Sequence, residues 1–265
     1  MACGAGRIVV IDVRWLGHST VVIDLDGTRV LTDPLLRNHV GLLRRVTPPP
    51  RAADWSGVDA ILLSHLHLDH ADVASLRLLP ETPVLASANV ANWLSDRGIG
   101  SAGISSDWQR IPGSGATEVR LVPAEHHARP LPGRPIDAHG FLLRCPSGTV
   151  WFAGDTADYP EMEHLAEWAG GRIDVVLLPI HGWGPRLSAG HLDAVGAAKV
   201  CRVVRPRFVV PIHYGTLHAV GLNLRRLDWM HSPAELFASS LTAVAPDTSL
   251  VQLAATGPGW QLPAA

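Results

Sequence analysis

The chain has 265 residues, 47% of them apolar and 17% charged, with a formal net charge of −2. This balance excludes a disordered or coiled-coil chain, and near-neutrality removes the electrostatic footprint of a nucleic-acid binder. A chain of this length hides roughly 70–75% of its unfolded surface, so a single domain over residues 1–265 is expected without staples.

Strand-like alternation opens the chain at 8–14, continues at 20–25 and, across the turn Asp26-Gly27, at 29–31. These three segments predict an antiparallel meander. The early apolar run Ile8-Val9-Val10-Ile11 is shorter than the about 7–15 residues of a secretory core. No later stretch approaches the ~20 apolar residues of a membrane span. A cytoplasmic protein without integral membrane contact is therefore expected. Residues 35–57, with Pro48-Pro49-Pro50 and four arginines, read as a long irregular loop. Short buried strands are predicted at 59–63 and 83–86, followed by a helix at 89–97. Further strands are predicted at 118–122, 140–144, 149–153, 174–178 and 208–211. Helices are predicted at 160–169, 192–204 and 233–241. A meander followed by strands alternating with helices predicts an α/β chain with two packed sheets and helices outside.

The three cysteines, Cys3, Cys145 and Cys201, are odd in number and far apart, which argues against a disulfide framework or a cysteine-type zinc site. The fourteen histidines are more informative. Directly after the strand at 59–63 the chain reads Ser64-His65-Leu66-His67-Leu68-Asp69-His70. His65 and His67 are two apart, so in an extended segment both imidazoles face one side. Asp69 and His70 follow as the chain turns, offering ligands to the other side of a small cavity. Such imidazole and carboxylate groups suit zinc and its neighbours. Three more segments place a His or Asp where an apolar run ends: Pro123-Ala124-Glu125-His126-His127, Ala153-Gly154-Asp155 and Ile212-His213-Tyr214.

Residues 65–70 match in full the His-x-His-x-Asp-His hallmark of the metallo-β-lactamase superfamily, which the chain resembles over roughly residues 13–220. Trp15-Leu16-Gly17-His18-Ser19-Thr20, Leu31-Thr32-Asp33-Pro34, Ala153-Gly154-Asp155-Thr156, Pro185-Arg186 and His191-Leu192-Asp193 are similar to one branch of it. That branch holds bacterial ascorbate-6-phosphate lactonase and N-acyl-phosphatidylethanolamine-hydrolysing phospholipase D. The resemblance implies an αββα sandwich, two mixed sheets packed face to face, with a dinuclear centre at one rim. It implies His65, His67 and His126 on one metal, Asp69, His70 and His213 on the other, and Asp155 as the bridge. His126 is preferred to His127 because it holds the histidine place of Pro-Ala-x-His. Asp33 is expected to orient a ligand histidine, and His18 has either a site role or a purely structural one.

The implied activity is hydrolysis of a small phosphodiester, lactone or related ester by hydroxide bridging two divalent ions. Zinc is the default metal, with manganese or iron left open. Asp69 and His191 are the expected catalytic residues, His191 as the proton donor to the leaving group. His181 either lines the cleft or is an ordinary packed imidazole. Trp15 and Trp183 are candidate walls of an apolar pocket, and Arg186 either meets an anionic substrate or forms a surface ion pair. The expected partner is a small-molecule substrate and not nucleic acid, with a homo-oligomer left open. The competing readings are a non-catalytic metal-binding scaffold or ligand sensor and, second, a nuclease.

Overall fold

The computed structural model describes residues 10–128, 136–221 and 228–264. Ile8 and Val9 of the first predicted strand, and Cys3, lie outside the described residues, as does the side chain of His127.

Among the described residues the strands form two seven-stranded sheets and one three-stranded sheet. The first sheet runs in the order Trp260–Gln261, Ile11–Gly17, Thr20–Leu25, Thr28–Thr32, Ala60–Leu62, Val84–Ala86 and Ser101–Gly103. Its opening meander is antiparallel, closed at Asp26-Gly27, where both residues take positive φ (50° and 86°). That is the turn whose twist matches a two-residue hairpin. The strands from Thr28–Thr32 onward are parallel, so the sheet is mixed. The second sheet runs Ser249–Leu250, Phe208–Ile212, Val175–Pro179, Gly148–Phe152, Ile136–Cys145, Glu118–Ala128 and Gln109–Arg110. Its first four strands are parallel and the rest antiparallel.

Alternation decides which side of each strand is covered. In Thr20–Leu25, Val21, Ile23 and Leu25 join the core between the sheets, in one cluster with Phe141, Val150 and Phe152 of the second sheet. Val22 points the other way, into a second cluster with Leu76, Val90 and Leu94 of the helices Val73–Leu76 and Ala88–Ser95. The helices Ala194–Val204 and Asp228–Val244 add Ala198, Cys201, Phe237 and Leu241 to the main core. The result is the expected αββα sandwich. Full burial of each such aliphatic or aromatic side chain contributes about 1.5–3 kcal/mol.

Two expectations need correction. Residues 35–57 are not irregular throughout: they hold the paired strands His39–Val40 and Leu43–Arg45 and the helix Ala52–Trp55. Leu43–Arg45 also pairs with Leu217–Ala219, which makes the small third sheet. The segment at 160–169 is a 3₁₀ helix, Pro160–His164, running into the α-helix Leu165–Ala169. No helix among the described residues is long and apolar enough to cross a membrane.

Candidate metal centre

The site lies where parallel strands of both sheets end. Ala60–Leu62 leads into Ser64–His70, Gly148–Phe152 into Asp155, Val175–Pro179 into His181, and Phe208–Ile212 into His213. Open α/β frameworks gather ligands at such carboxyl ends. His126 differs from the expectation: it stands inside the strand Glu118–Ala128, not beyond it. A register shift between Pro123 and His127 puts four steps of this strand against two of its partner, and the bulge lies in the stretch that carries His126.

All seven residues expected to bind metal come together. Asp155 Oδ2 lies 3.1 Å from His70 Nε2 and 3.9 Å from His65 Nε2, and its Oδ1 lies 3.1 Å from His213 Nε2. His67 Nδ1 sits 3.1 Å from His65 Nε2 and 3.0 Å from His126 Nε2. His70 Nε2 and His213 Nε2 are 3.2 Å apart. The ligand atoms of His65, His67, His126 and Asp155 lie within 4.8 Å of one another, as do those of His18, Asp69, His70 and His213.

The outward faces of these rings fix their tautomers. His126 Nδ1–H donates to the Gly190 carbonyl (2.8 Å) and His213 Nδ1–H to the His181 carbonyl (2.7 Å). Asp33 Oδ2 accepts from His70 Nδ1–H (2.8 Å) and from the Ser64 hydroxyl (2.6 Å), and Oδ1 accepts the Ser64 N–H (2.8 Å). With its proton given to Asp33, the Ser64 hydroxyl accepts from His65 Nδ1–H at 2.9 Å. Asp33 thus orients His70 directly and His65 through Ser64. In each case Nε2 is left with its lone pair turned inward.

These lone pairs decide what the site can hold. Those of His70 and His213 face one another, which is repulsive unless a positive charge sits between them. Those of His65 and His126 both aim at His67 Nδ1, and one proton cannot serve both. One cation can. Metal–nitrogen bonds of 2.0–2.1 Å in tetrahedral geometry put neighbouring nitrogens about 3.3–3.4 Å apart, close to the spacings here. Asp155 is buried, and neither of its oxygens has a hydrogen-bond partner among the described residues. A buried carboxylate without donors is costly unless a cation compensates it.

The electrostatics point the same way. Burial would raise Asp155, but His213 and His70 hold it well below the carboxylate range. Burial pulls His70 down, yet Asp155, Asp69 and Asp33 outweigh it and hold it well above the imidazole value, so these carboxylates draw positive charge to His70 Nε2, as a proton or as a cation in its place. Burial lowers His126 to about 4 and His65 well below its ordinary value, so both rings are neutral near pH 7.

A cavity of 260 Å³ opens onto the cluster, lined among others by His67, Asp69, Asp155, Trp183, Arg186 and His191. His191 Nε2 lies 3.3 Å from Asp155 Oδ2, and its Nδ1 lies 3.2 Å from the Ser188 carbonyl. A larger cavity of 480 Å³ runs along the strand carrying His126, past Leu121, Pro123, Glu125 and Asp137. Of the seven clustered residues only His126 borders it, so the smaller cavity is the one that serves the cluster. Trp15 is buried and stacks on Tyr214, and it lines neither of these two cavities. His181 contributes its carbonyl, while its ring packs toward Trp229. Two site features carried no sequence signal: the carbonyls of Gly190 and His181, because main-chain groups are the same in every residue. Gly190 has φ +80°, and a Cβ there would stand 3.1 Å from His126 Nδ1.

The β-lactamase superfamily domain family matches residues 28–214. A metal-dependent hydrolase (UPF0173) of Pyrobaculum neutrophilum is 32% identical over 77% of this chain and 84% of its own length. N-acyl-phosphatidylethanolamine-hydrolyzing phospholipase D 1 of Caenorhabditis elegans is 26% identical over 76% of this chain and 63% of its own. In fold, the metallo hydrolase Igni18 of Ignicoccus hospitalis aligns with a TM-score of 0.74 at 20% identity, over 96% of this chain and 99% of that one.

Proposed function

Since this chain belongs to the β-lactamase superfamily, we propose that it is a metal-dependent hydrolase of a small phosphodiester, lactone or related ester. The observation that carries this reading is the inward convergence of the ring nitrogens of His65, His67, His70, His126 and His213 around the buried carboxylate of Asp155. In it, His65, His67 and His126 would hold one divalent cation and Asp69, His70 and His213 a second, with the Asp155 carboxylate available to both. Zinc is the chemical default for this donor set, with manganese and iron as the alternatives. Two such ions supply Lewis acidity and lower the pKa of a shared water from 15.7 to about 7. We take residues 1–265 as one domain working in the cytoplasm.

The remaining chemistry falls to the chain. His191, which lines the cavity, supplies the leaving-group proton from Nε2, while its Nδ1–H is occupied by the Ser188 carbonyl. Burial pulls His191 down, but the Asp155 carboxylate outweighs it and raises the ring above its ordinary value. Arg186 lines the cavity and forms no ion pair among the described residues, so its guanidinium is available to an anionic substrate group. Trp183, 42% exposed, offers an apolar wall beside it.

The test is elemental analysis followed by turnover of bis-p-nitrophenyl phosphate and a panel of lactones, with and without chelator. Two ions per chain and chelator-sensitive turnover are expected. Two ions with no turnover of any ester would instead support the scaffold or sensor reading.

A further inference from the structure

We propose that His18 is a positioning residue for the second cation, fixing Asp69 through its ring and His213 through its backbone. The inference rests on the two-cation reading above. His18 is 1% exposed and has φ +53°, a left-handed conformation unusual for a residue with a side chain. Four hydrogen bonds and a ring contact hold it there. Its N–H donates to Thr216 Oγ1 at 2.8 Å. Its carbonyl accepts the Trp15 indole N–H at 2.8 Å and the His213 N–H at 3.0 Å. Its Nε2 lies 2.9 Å from Asp69 Oδ2, and its ring lies against that of His213 with centroids 3.9 Å apart.

The chemistry of the contact with Asp69 separates positioning from ligation. A carboxylate only accepts, so His18 Nε2 carries the proton and has no lone pair there for a metal. The bond engages Oδ2, the oxygen that also lies 3.8 Å from His70 Nε2, and leaves the second lone pair of Oδ2 and all of Oδ1 for the cation. His213 is constrained on both sides, by the His18 carbonyl at its N–H and by the His181 carbonyl at its ring. One residue thus holds the Asp69 side chain and the His213 main chain, two of the three residues assigned to the second cation. Among the described residues His18 makes no hydrogen bond to His65, His67 or His126.

The experiment measures zinc stoichiometry and affinity in the full chain, by elemental analysis and chelator competition, with circular dichroism and melting as controls. His18→Ala is expected to keep one tightly held ion and to bind the second about 10–100-fold more weakly, the usual effect of removing an outer hydrogen-bond partner. His18→Gln, whose amide N–H substitutes for Nε2–H, is expected to recover most of that loss. Folded His18→Ala with two ions at wild-type affinity overturns the proposal, as does equal weakening of both. Should His18→Ala fail to fold, folded His18→Gln decides: two ions support the proposal and one overturns it. Fewer than two ions in the wild-type chain would overturn the two-cation reading itself, and this inference with it.

Discussion

Asp33 accepts three hydrogen bonds while fully buried, two from Ser64 and one from His70. Replacing one of its oxygens by an amide in Asp33→Asn puts a donor where donors already point. We expect metal affinity to fall about 10–100-fold with the fold retained, as read by chelator competition alongside a thermal melt. His191 predicts a different pattern. An acid acts only while protonated, so kcat should fall as pH rises through the pKa of His191 in the metal-loaded chain. His191→Ala should lower kcat by about 10²–10⁴-fold, remove that alkaline limb and leave metal content unchanged. Loss of an ion from this variant would place His191 among the ligands instead. Asp155→Ala should abolish turnover and release metal without unfolding the chain, since the main core is built from strand and helix residues away from the rim.

Between residue and molecule, the decisive element is the turn after Ile11–Gly17. Gly17 has φ +105°, and a Cβ there would lie 2.6 Å from Arg45 Nη2 and 2.9 Å from Thr216 Cγ2. Arg45 is itself buried and donates to the carbonyls of Leu35 and Leu16, with burial pushing it down to about 10. Gly17→Ala therefore strains the backbone and displaces a buried cation together. We expect a loss of roughly 1–3 kcal/mol in urea unfolding. The same turn carries His18, so the variant should also weaken the second ion. The small sheet was hidden from periodicity because its strands are two or three residues long. Alternation needs more positions than that to register. Its pairing of Leu43–Arg45 with Leu217–Ala219 joins segments far apart in the chain, which no local pattern encodes.

Across the whole molecule, the proposed ligands straddle the sandwich. His65, His67, Asp69 and His70 follow a strand of the first sheet, whereas His126, Asp155 and His213 belong to strands and loops of the second. Bound ions would therefore clamp the two sheets at one rim. Ligand binding stabilises the folded state by about 4.1 kcal/mol at a free concentration 1,000 times Kd. Chelation should lower the calorimetric melting temperature, and readdition of zinc should restore it; an unchanged melt would mean that no ion spans the seam. What was legible beforehand follows from how each feature is encoded. The meander, the parallel strands and the six-residue cluster at 65–70 were readable because hydrophobic period and ligand spacing are local properties of the chain. Asp33, His126, Asp155 and His213 were identified through motifs, and their meeting was an expectation until the sheets were seen to pack. His18 shows the boundary most clearly: its motif was visible, but its partner Asp69 stands 51 residues away and meets it only across the folded rim. The sequence by itself determined which donors the protein owns and which strands carry them. Their tautomers, their spacing and the carbonyls that aim them were decided only in the tertiary structure, because hydrogen bonds between distant segments exist only after the core has closed.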